Sequence, residues 1–164
     1  MEIYQKHKYV HSTDELYAMF TSKKEIKAKH KALGARNISV EECTTDDEGA
    51  IVTFVREVPA NVPGVLSKFL QPWNVVEQSE EWEYLDGDVY AADLDIDIAN
   101  VPVTVSGSLE LKPTKTGCTN HVRLTVDCGI PFVGKTLVEF VGGDCGRLAH
   151  KEYKYLQERL AKNG

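Results

Sequence analysis

The fold of this chain is decided near its end, by the segment VGKTLVEFVGGDCGRLAHKEYKYLQERL at residues 133–160. Apolar residues recur there at three-, four- and eight-residue steps, which is typical of one face of an amphipathic helix. This stripe comprises Leu137, Val141, Cys145, Leu148, Leu156 and Leu160, and is widened by Phe140, Ala149 and Tyr153. Because propensity alone rarely holds so long a helix together, we expect another element to bury the stripe.

Most of the preceding chain alternates between apolar and polar residues, which predicts β-strands. The predicted strands cover residues 3–10, 51–58, 75–85, 89–98, 103–111 and 122–130, and a further strand begins at residue 38 and leads to a turn at residues 45–49. Two short helices follow the first strand, and each begins with a capping-box pattern, Ser12 with Glu15 and Ser22 with Glu25. The sequence therefore predicts an α+β fold, in which a curved antiparallel sheet of about seven strands wraps around the C-terminal helix.

The hairpin between residues 75–85 and 89–98 has two possible registers, which differ in the face that its aromatic residues occupy. A two-residue loop would place the aromatic residues of the first strand on the acidic face of the second. A three-residue loop with a left-handed Gly87 instead pairs Tyr84 with Tyr90 and Trp82 with Ala92. We favour the second register, because it gathers the apolar residues on one face.

Composition and length exclude several classes of protein. The 164 residues predict one domain over residues 1–164, and the formal net charge of −6 argues against a nucleic-acid binder, although residues 23–31 are locally basic. No apolar run is long enough to span a bilayer, and no signal peptide is recognisable, so we expect a cytoplasmic protein without an integral membrane segment.

The residues that commonly bind metals or act as nucleophiles form no recognised motif. The cysteines at 43, 118, 128 and 145 lack paired spacing, so we expect free thiols and no zinc site. Asp93, Asp95 and Asp97 alternate down one strand and diverge from one another, so we expect no metal there. The five histidines are scattered, and no phosphate-binding or dinucleotide-binding motif is present, so we expect no cofactor.

The order of strand, two helices, six strands and a long helix resembles the helix-grip fold of the START and birch-pollen-allergen-like (SRPBCC) superfamily. Several segments are similar to its DUF2505 family: 56–59 leading to Pro63, 82–87, 102–107, 109–113, and 130–135 with Glu139. Gly142 and Gly143 interrupt the final helix, where we expect a kink or close packing. The DUF2505 family has no established reaction, so the resemblance implies no catalytic residues.

The resemblance also implies a cavity between the sheet and the final helix. From the register, we expect the following residues to line it: Phe54, Arg56, Gln78, Glu80, Trp82, Tyr84, Tyr90, Leu94, Val126, Leu137, Val141, Cys145 and Leu148. Which face of residues 51–58 points inward stays open at this stage. An inward Arg56 and Glu80 could pair at the cavity mouth and orient a ligand carboxylate or hydroxyl, or each could lie in water at its strand end.

Three functions follow as hypotheses. The leading one is a protein that binds a hydrophobic small molecule or lipid, because a mostly apolar face with a few placed polar groups is typical of ligand pockets. The second is a cofactor-independent enzyme of the cyclase or aromatase type, which needs an acid or base inside the cavity. The third is an interaction module with a filled core. The identity of the ligand and the oligomeric state stay open.

Overall fold

A computed structural model describes residues 1–163. Its elements, in chain order, are β1 (Glu2–Tyr9), α1 (Thr13–Phe20), α2 (Lys23–Ala32), β2 (Arg36–Thr45), β3 (Gly49–Pro59), β4 (Trp73–Leu85), β5 (Val89–Ile98), β6 (Thr104–Pro113), β7 (Cys118–Asp127) and α3 (Val133–Ala161). The strands form one antiparallel sheet in the order β1-β7-β6-β5-β4-β3-β2. The predicted α+β architecture and the predicted order of elements are therefore confirmed.

The two short helices begin where the sequence predicts, but only the first has a complete capping box. Ser12 Oγ accepts a hydrogen bond from the backbone of Glu15 at 3.2 Å, and the Glu15 carboxylate accepts one from the backbone of Ser12. At α2, Ser22 caps the helix in the same way. The Glu25 carboxylate, however, accepts two hydrogen bonds from the Arg159 guanidinium on α3, at 3.2 and 2.8 Å. The second capping box is therefore half-formed, because Glu25 ties α2 to α3.

The register of the β4–β5 hairpin is the one that the three-residue loop predicts. Trp82 pairs with Ala92 and Tyr84 pairs with Tyr90. Gly87 is left-handed as expected (φ 77°), and Asp88 is left-handed as well (φ 59°). This register places the alternate residues of β4 from Val76 to Trp82 on the inner face of the sheet.

The inward face of β3 is also decided by pairing. Val40 pairs with Phe54, and register shifts in β2 absorb the irregularity on either side of this pair. Val52, Phe54 and Arg56 are all buried, whereas Ile51, next to Val52, is 46% exposed. Arg56 therefore points into the protein.

Some predicted boundaries are wrong. The strand predicted to begin at residue 38 begins at Arg36, and the strand predicted to end at residue 130 ends at Asp127. Each of these segments lies at an end or in a connection, where backbone pairing with a neighbour rather than side-chain alternation sets the limit.

Helix α3 runs without interruption across the opening of the sheet. The sharp turn before it uses Phe132, whose backbone is left-handed and whose side chain is almost fully exposed. Gly142 is buried, and a side chain there would meet the Met1 side chain. Of the two alternatives expected from the sequence, close packing is found at Gly142, whereas Gly143 faces open space. Within residues 1–163, no helix is long and apolar enough to cross a membrane.

Candidate ligand-binding cavity

An internal cavity of about 150 Å³ lies between the inner face of the sheet and α3. Its walls are mostly aliphatic: Leu33, Val58, Leu70, Val76, Leu94, Ile96, Ile98, Leu109, Val122, Leu124, Val141 and Leu148 all line it. Small side chains from α3, Cys145 and Ala149, leave room beneath the helix. Most of the half-exposed lining residues come from the end of α2, from β3 near its end and the segment after it, and from α3, so the exposed side of the cavity lies between these elements.

Arg56 is a buried cation on the wall of this cavity. Its side chain is only 8% exposed, and its guanidinium lies 4.9 Å from the centre of the Phe54 ring. Nη2 donates to Gln78 Oε1 at 3.1 Å, whereas the buried Nε and Nη1 atoms have no hydrogen-bond partner among the described residues. Burial lowers the pKa of Arg56 to about 10, so the group is charged at neutral pH.

Gln78 connects this cation to a buried carboxylate. Gln78 Nε2 donates to Glu80 Oε2 at 2.6 Å, and Trp82 Nε1 donates to Glu80 Oε1 at 3.0 Å. Burial raises the pKa of Glu80, and the positive charge of Lys29 opposes that change. The direct Arg56–Glu80 pair considered from the sequence is not formed, because the Gln78 amide lies between the two charges.

Two of the five histidines, His7 and His30, lie on the cavity wall. His7 on β1 stacks on Tyr153 at 4.4 Å between ring centres, and His30 on α2 lies 4.7 Å from Phe54. Burial lowers the pKa of His7 to about 4 and lowers the pKa of His30 well below its usual value. Both rings are therefore neutral at pH 7.

Other polar groups on the wall, Glu152, Asn120 and Tyr9, differ in whether they have partners. Lys29 Nζ lies 3.1 Å from the Glu152 carboxylate and thereby joins α2 to α3. The buried Asn120 Oδ1 and Tyr9 hydroxyl, which lie on the β7 and β1 side, have no hydrogen-bond partner in the described part of the chain. Buried polar atoms without partners thus occur on lining residues from two sides of the cavity, Arg56 on β3 and Tyr9 and Asn120 on β1 and β7.

The structure brings together seven of the residues proposed from the sequence and places six elsewhere. The seven that line the cavity are Arg56, Gln78, Glu80, Leu94, Val141, Cys145 and Leu148. Val126 and Leu137 are fully buried in a second apolar cluster with Val105 and Val141, and Phe54 lies behind Arg56 and His30.

The remaining three are aromatic residues of the β4–β5 hairpin. Trp82 is buried against Tyr17 and Phe20 of α1, at 5.6 and 5.4 Å between ring centres. Tyr90 stacks on Tyr17 at 4.0 Å. Tyr84 is 41% exposed and donates to Asp88 at the tip of the hairpin. These aromatic side chains fill the space under α1 or lie outside it, and the cavity begins beyond them.

Sequence reasoning missed several wall residues, although weak signals for them exist. His7 shares the inward alternation of β1 with Tyr9, and Asn120 precedes Val122 by two residues in β7. Glu152 lies four residues after Leu148 on the helical stripe of α3. These positions were not predicted to line the cavity because their side chains are polar, and polar residues usually indicate a solvated face.

The long C-terminal helix across a seven-stranded antiparallel sheet places the chain in the helix-grip fold class. The structure is similar to TTHA0849 from Thermus thermophilus, with a TM-score of 0.69 and 16% identity over 100% of this chain and 99% of that one. It is similar to a STAR-related lipid transfer protein from Xanthomonas axonopodis (TM-score 0.59, 13% identity, 92% and 85% covered). Ara h 8.0201 gives a TM-score of 0.62 at 10% identity, with 99% and 98% covered. At these identities the likeness shows the fold.

Within this class, the chain belongs to the family described as "Protein of unknown function (DUF2505)", which matches residues 5–160. No functionally curated protein matches the sequence. Among residues 1–163, no group of three or more His, Cys, Asp or Glu side chains is arranged to hold a metal ion.

Proposed function

We propose that this protein binds one small, mainly apolar molecule in the cavity between the sheet and α3. The observation that carries the proposal is a space of about 150 Å³ with aliphatic walls and a few buried polar groups, the composition that small-molecule sites share. An engineered cavity of that order holds one benzene molecule. A single ring or a short branched chain therefore fits the cavity as it stands.

The likeness to a STAR-related lipid transfer protein supports a hydrophobic ligand. A lipid would be a larger ligand than the single ring that fits the cavity as it stands. A full acyl chain exceeds the volume of the cavity, so binding it requires α3 to move away from the end of α2 and the segment after β3. The Lys29–Glu152 and Arg159–Glu25 ion pairs join α2 to α3 and would oppose that movement.

Burial of a single ring sets the expected affinity. About 200 Å² of apolar ligand surface at about 25 cal/mol per Å² contributes about 5 kcal/mol. Association and ordering costs remove a large part of this. We therefore expect a dissociation constant on the order of millimolar for an unfunctionalised ring.

The test is a titration of the ¹⁵N-labelled protein with toluene, followed by amide chemical shifts. We expect saturable shifts that concentrate on the cavity strands and on α3. Ala149→Leu, which places a larger side chain in the cavity, should abolish them, whereas Ala161→Leu, at an exposed position of the same helix, should not. The absence of saturable binding to the wild type would leave an interaction module with a filled core as the better account.

A second experiment addresses the larger ligands. Native mass spectrometry of freshly purified protein, followed by solvent extraction, identifies any molecule that the protein retains. A retained acyl lipid would show that the cavity expands, and it would favour the lipid member of the proposed class over a single ring.

A cofactor-independent cyclase or aromatase is the second candidate, and the position of Glu80 favours it. This carboxyl is buried on the cavity wall, and burial raises its pKa towards the range useful for general acid catalysis. An enzyme would release a bound poly-ketone substrate as a cyclised product, and Glu80→Gln would abolish that conversion while toluene still binds. A carrier would return every ligand unchanged.

A further inference from the structure

The guanidinium of Arg56 retains unused hydrogen-bonding capacity inside the cavity. A guanidinium presents five N–H donors, and the single hydrogen bond here runs from Nη2 to Gln78 Oε1. Nε and Nη1 are buried without a partner in the described part of the chain. Arginine binds a carboxylate through one of two edges of its guanidinium, either Nε with Nη2 or Nη1 with Nη2. Both nitrogen atoms are buried, and an acceptor that reached either edge from the cavity would find an unused donor there.

The surrounding carboxylates do not compensate this charge directly. Both oxygens of Glu80 already accept hydrogen bonds, from Gln78 and Trp82. Glu152 pairs with Lys29 at 3.1 Å, and the Asp144 carboxylate pairs with Arg147 at 3.2 Å. Glu152 and Glu80 favour the charged form of Arg56 through space. No carboxylate of residues 1–163 forms an ion pair with the guanidinium, however, so a ligand anion could occupy that place and offset the cost of burying the charge.

The neighbours of Arg56 indicate what the rest of such a ligand resembles. Arg56 pairs with Val76 across β3 and β4, and Val76 pairs with Ile98 across β4 and β5. Val58, two residues along β3, and Leu70 line the same cavity. A row of aliphatic side chains thus begins directly beside the cation, and this arrangement matches an acidic head attached to a compact apolar body.

We propose that the ligand is a small carboxylic acid with a body of about one ring, and that its carboxylate binds the free edge of the Arg56 guanidinium. This inference rests on the proposed function and names the ligand class of the same cavity. Charge-assisted bidentate contacts are among the strongest hydrogen bonds in proteins. The carboxylate would also provide Arg56 with the ionic partner that residues 1–163 do not supply.

The test compares three ligands of similar size, namely benzoate, benzamide and toluene, by calorimetric titration at neutral pH. We expect benzoate to bind at least about tenfold more tightly than benzamide, because hydrogen bonds between charged groups are stronger than those to a neutral acceptor. In Arg56→Gln the preference for benzoate should disappear, while toluene binding should persist. The control variant, Arg123→Gln, removes an exposed arginine that stacks on Tyr4 and should keep the preference.

A measurement on the wild type avoids dependence on the folding of the variant. The ¹H–¹⁵N resonance of Arg56 Nε should move further on addition of benzoate than on addition of benzamide, whose neutral carbonyl accepts a weaker hydrogen bond, and it should stay in place with toluene. If benzamide and toluene bind as tightly as benzoate and the Nε resonance is unchanged, the protein binds neutral molecules and the carboxylate inference is overturned. If none of the three ligands binds, the proposed function fails together with it.

Discussion

The inner face of the sheet has two regions that share strand β4 and differ in how they are covered. At Trp82 the space is filled, because α1 lays Tyr17 and Phe20 against the indole. At Gln78 and Glu80, two to four residues earlier, α3 passes over the strand with the small residues Cys145 and Ala149, and a cavity remains. The cavity therefore lies where the covering helix presents small side chains to the sheet.

The two regions also differ in how fully their polar groups are satisfied. In the filled region the Tyr90 hydroxyl donates to Asp14 at 2.5 Å and the Trp82 indole donates to Glu80. In the cavity region Arg56, Tyr9 and Asn120 retain buried atoms without partners in the described part of the chain. Unpartnered buried polar groups reduce the free energy of unfolding. We therefore expect the filled region to contribute more to stability than the cavity region does.

The largest expected effect is at the centre of the filled region. Trp82→Ala should destabilise the protein by about 3–5 kcal/mol, because it removes a large buried side chain and a hydrogen-bond donor to Glu80. Tyr84→Ala, on the same strand but 41% exposed, should cost about 1 kcal/mol or less. Denaturant unfolding of both variants checks this. Similar costs for the two would contradict the distinction between filled and open parts of β4.

A matched pair of leucines on α3 compares the two kinds of packing directly. Leu137 is fully buried in a solid cluster, so Leu137→Ala should cost about 2–5 kcal/mol. Leu148 borders the cavity and is partly exposed, so Leu148→Ala should cost less than about 2 kcal/mol. The free energies of unfolding of both variants give the difference, and a reversed order would show that the cavity is closed in solution.

The neutral His7 on the cavity wall predicts a dependence of stability on pH. Its folded-state pKa of about 4 lies below the usual 6.5, so the unfolded chain takes up a proton first as the pH falls. The stability that His7 contributes is thus present above about pH 6.5 and is lost as the pH falls towards 4, by up to about 1.4 kcal/mol per pH unit.

The variant His7→Gln isolates this contribution. The difference in unfolding free energy between the wild type and His7→Gln should shrink as the pH is lowered through this window. His11→Gln, outside the cavity lining, serves as the control. A difference that is constant from neutral pH to pH 4 would mean that the His7 ring is solvated and not part of a buried wall.

The smallest expected effect separates two adjacent glycines of α3. Gly143→Ala should stabilise the protein by about 0.5–1 kcal/mol, because the new methyl group meets open space and alanine favours the helix. At Gly142 a Cβ would collide with Met1 Sδ, so the Met1 side chain must move and the gain should be reduced or reversed. Thermal unfolding of the two variants checks this, and equal gains would show that the N-terminal residue does not pack against α3.

Local periodicity was sufficient to predict most of the architecture. The stripe of α3, the alternation of the strands and the Ser12 capping box each depend on residues a few positions apart, and all are found in the structure. The register of the β4–β5 hairpin was predictable as well, because only one loop length gathers Trp82, Tyr90 and Ala92 on the same face. These features follow from the geometry of single elements and of neighbouring strands.

The site depended on contacts between distant parts of the chain. The sequence predicts Trp82 on the inner face, but Tyr17 and Phe20 of α1 pack against its ring, so Trp82 does not line the cavity. Conversely, His7, His30 and Glu152 come to the cavity wall from β1, α2 and α3. Alternation specifies which face a side chain occupies. How tightly that face is covered depends on where α1 and α3 cross it. The position of these helices also decides which side chains can bond to Arg56.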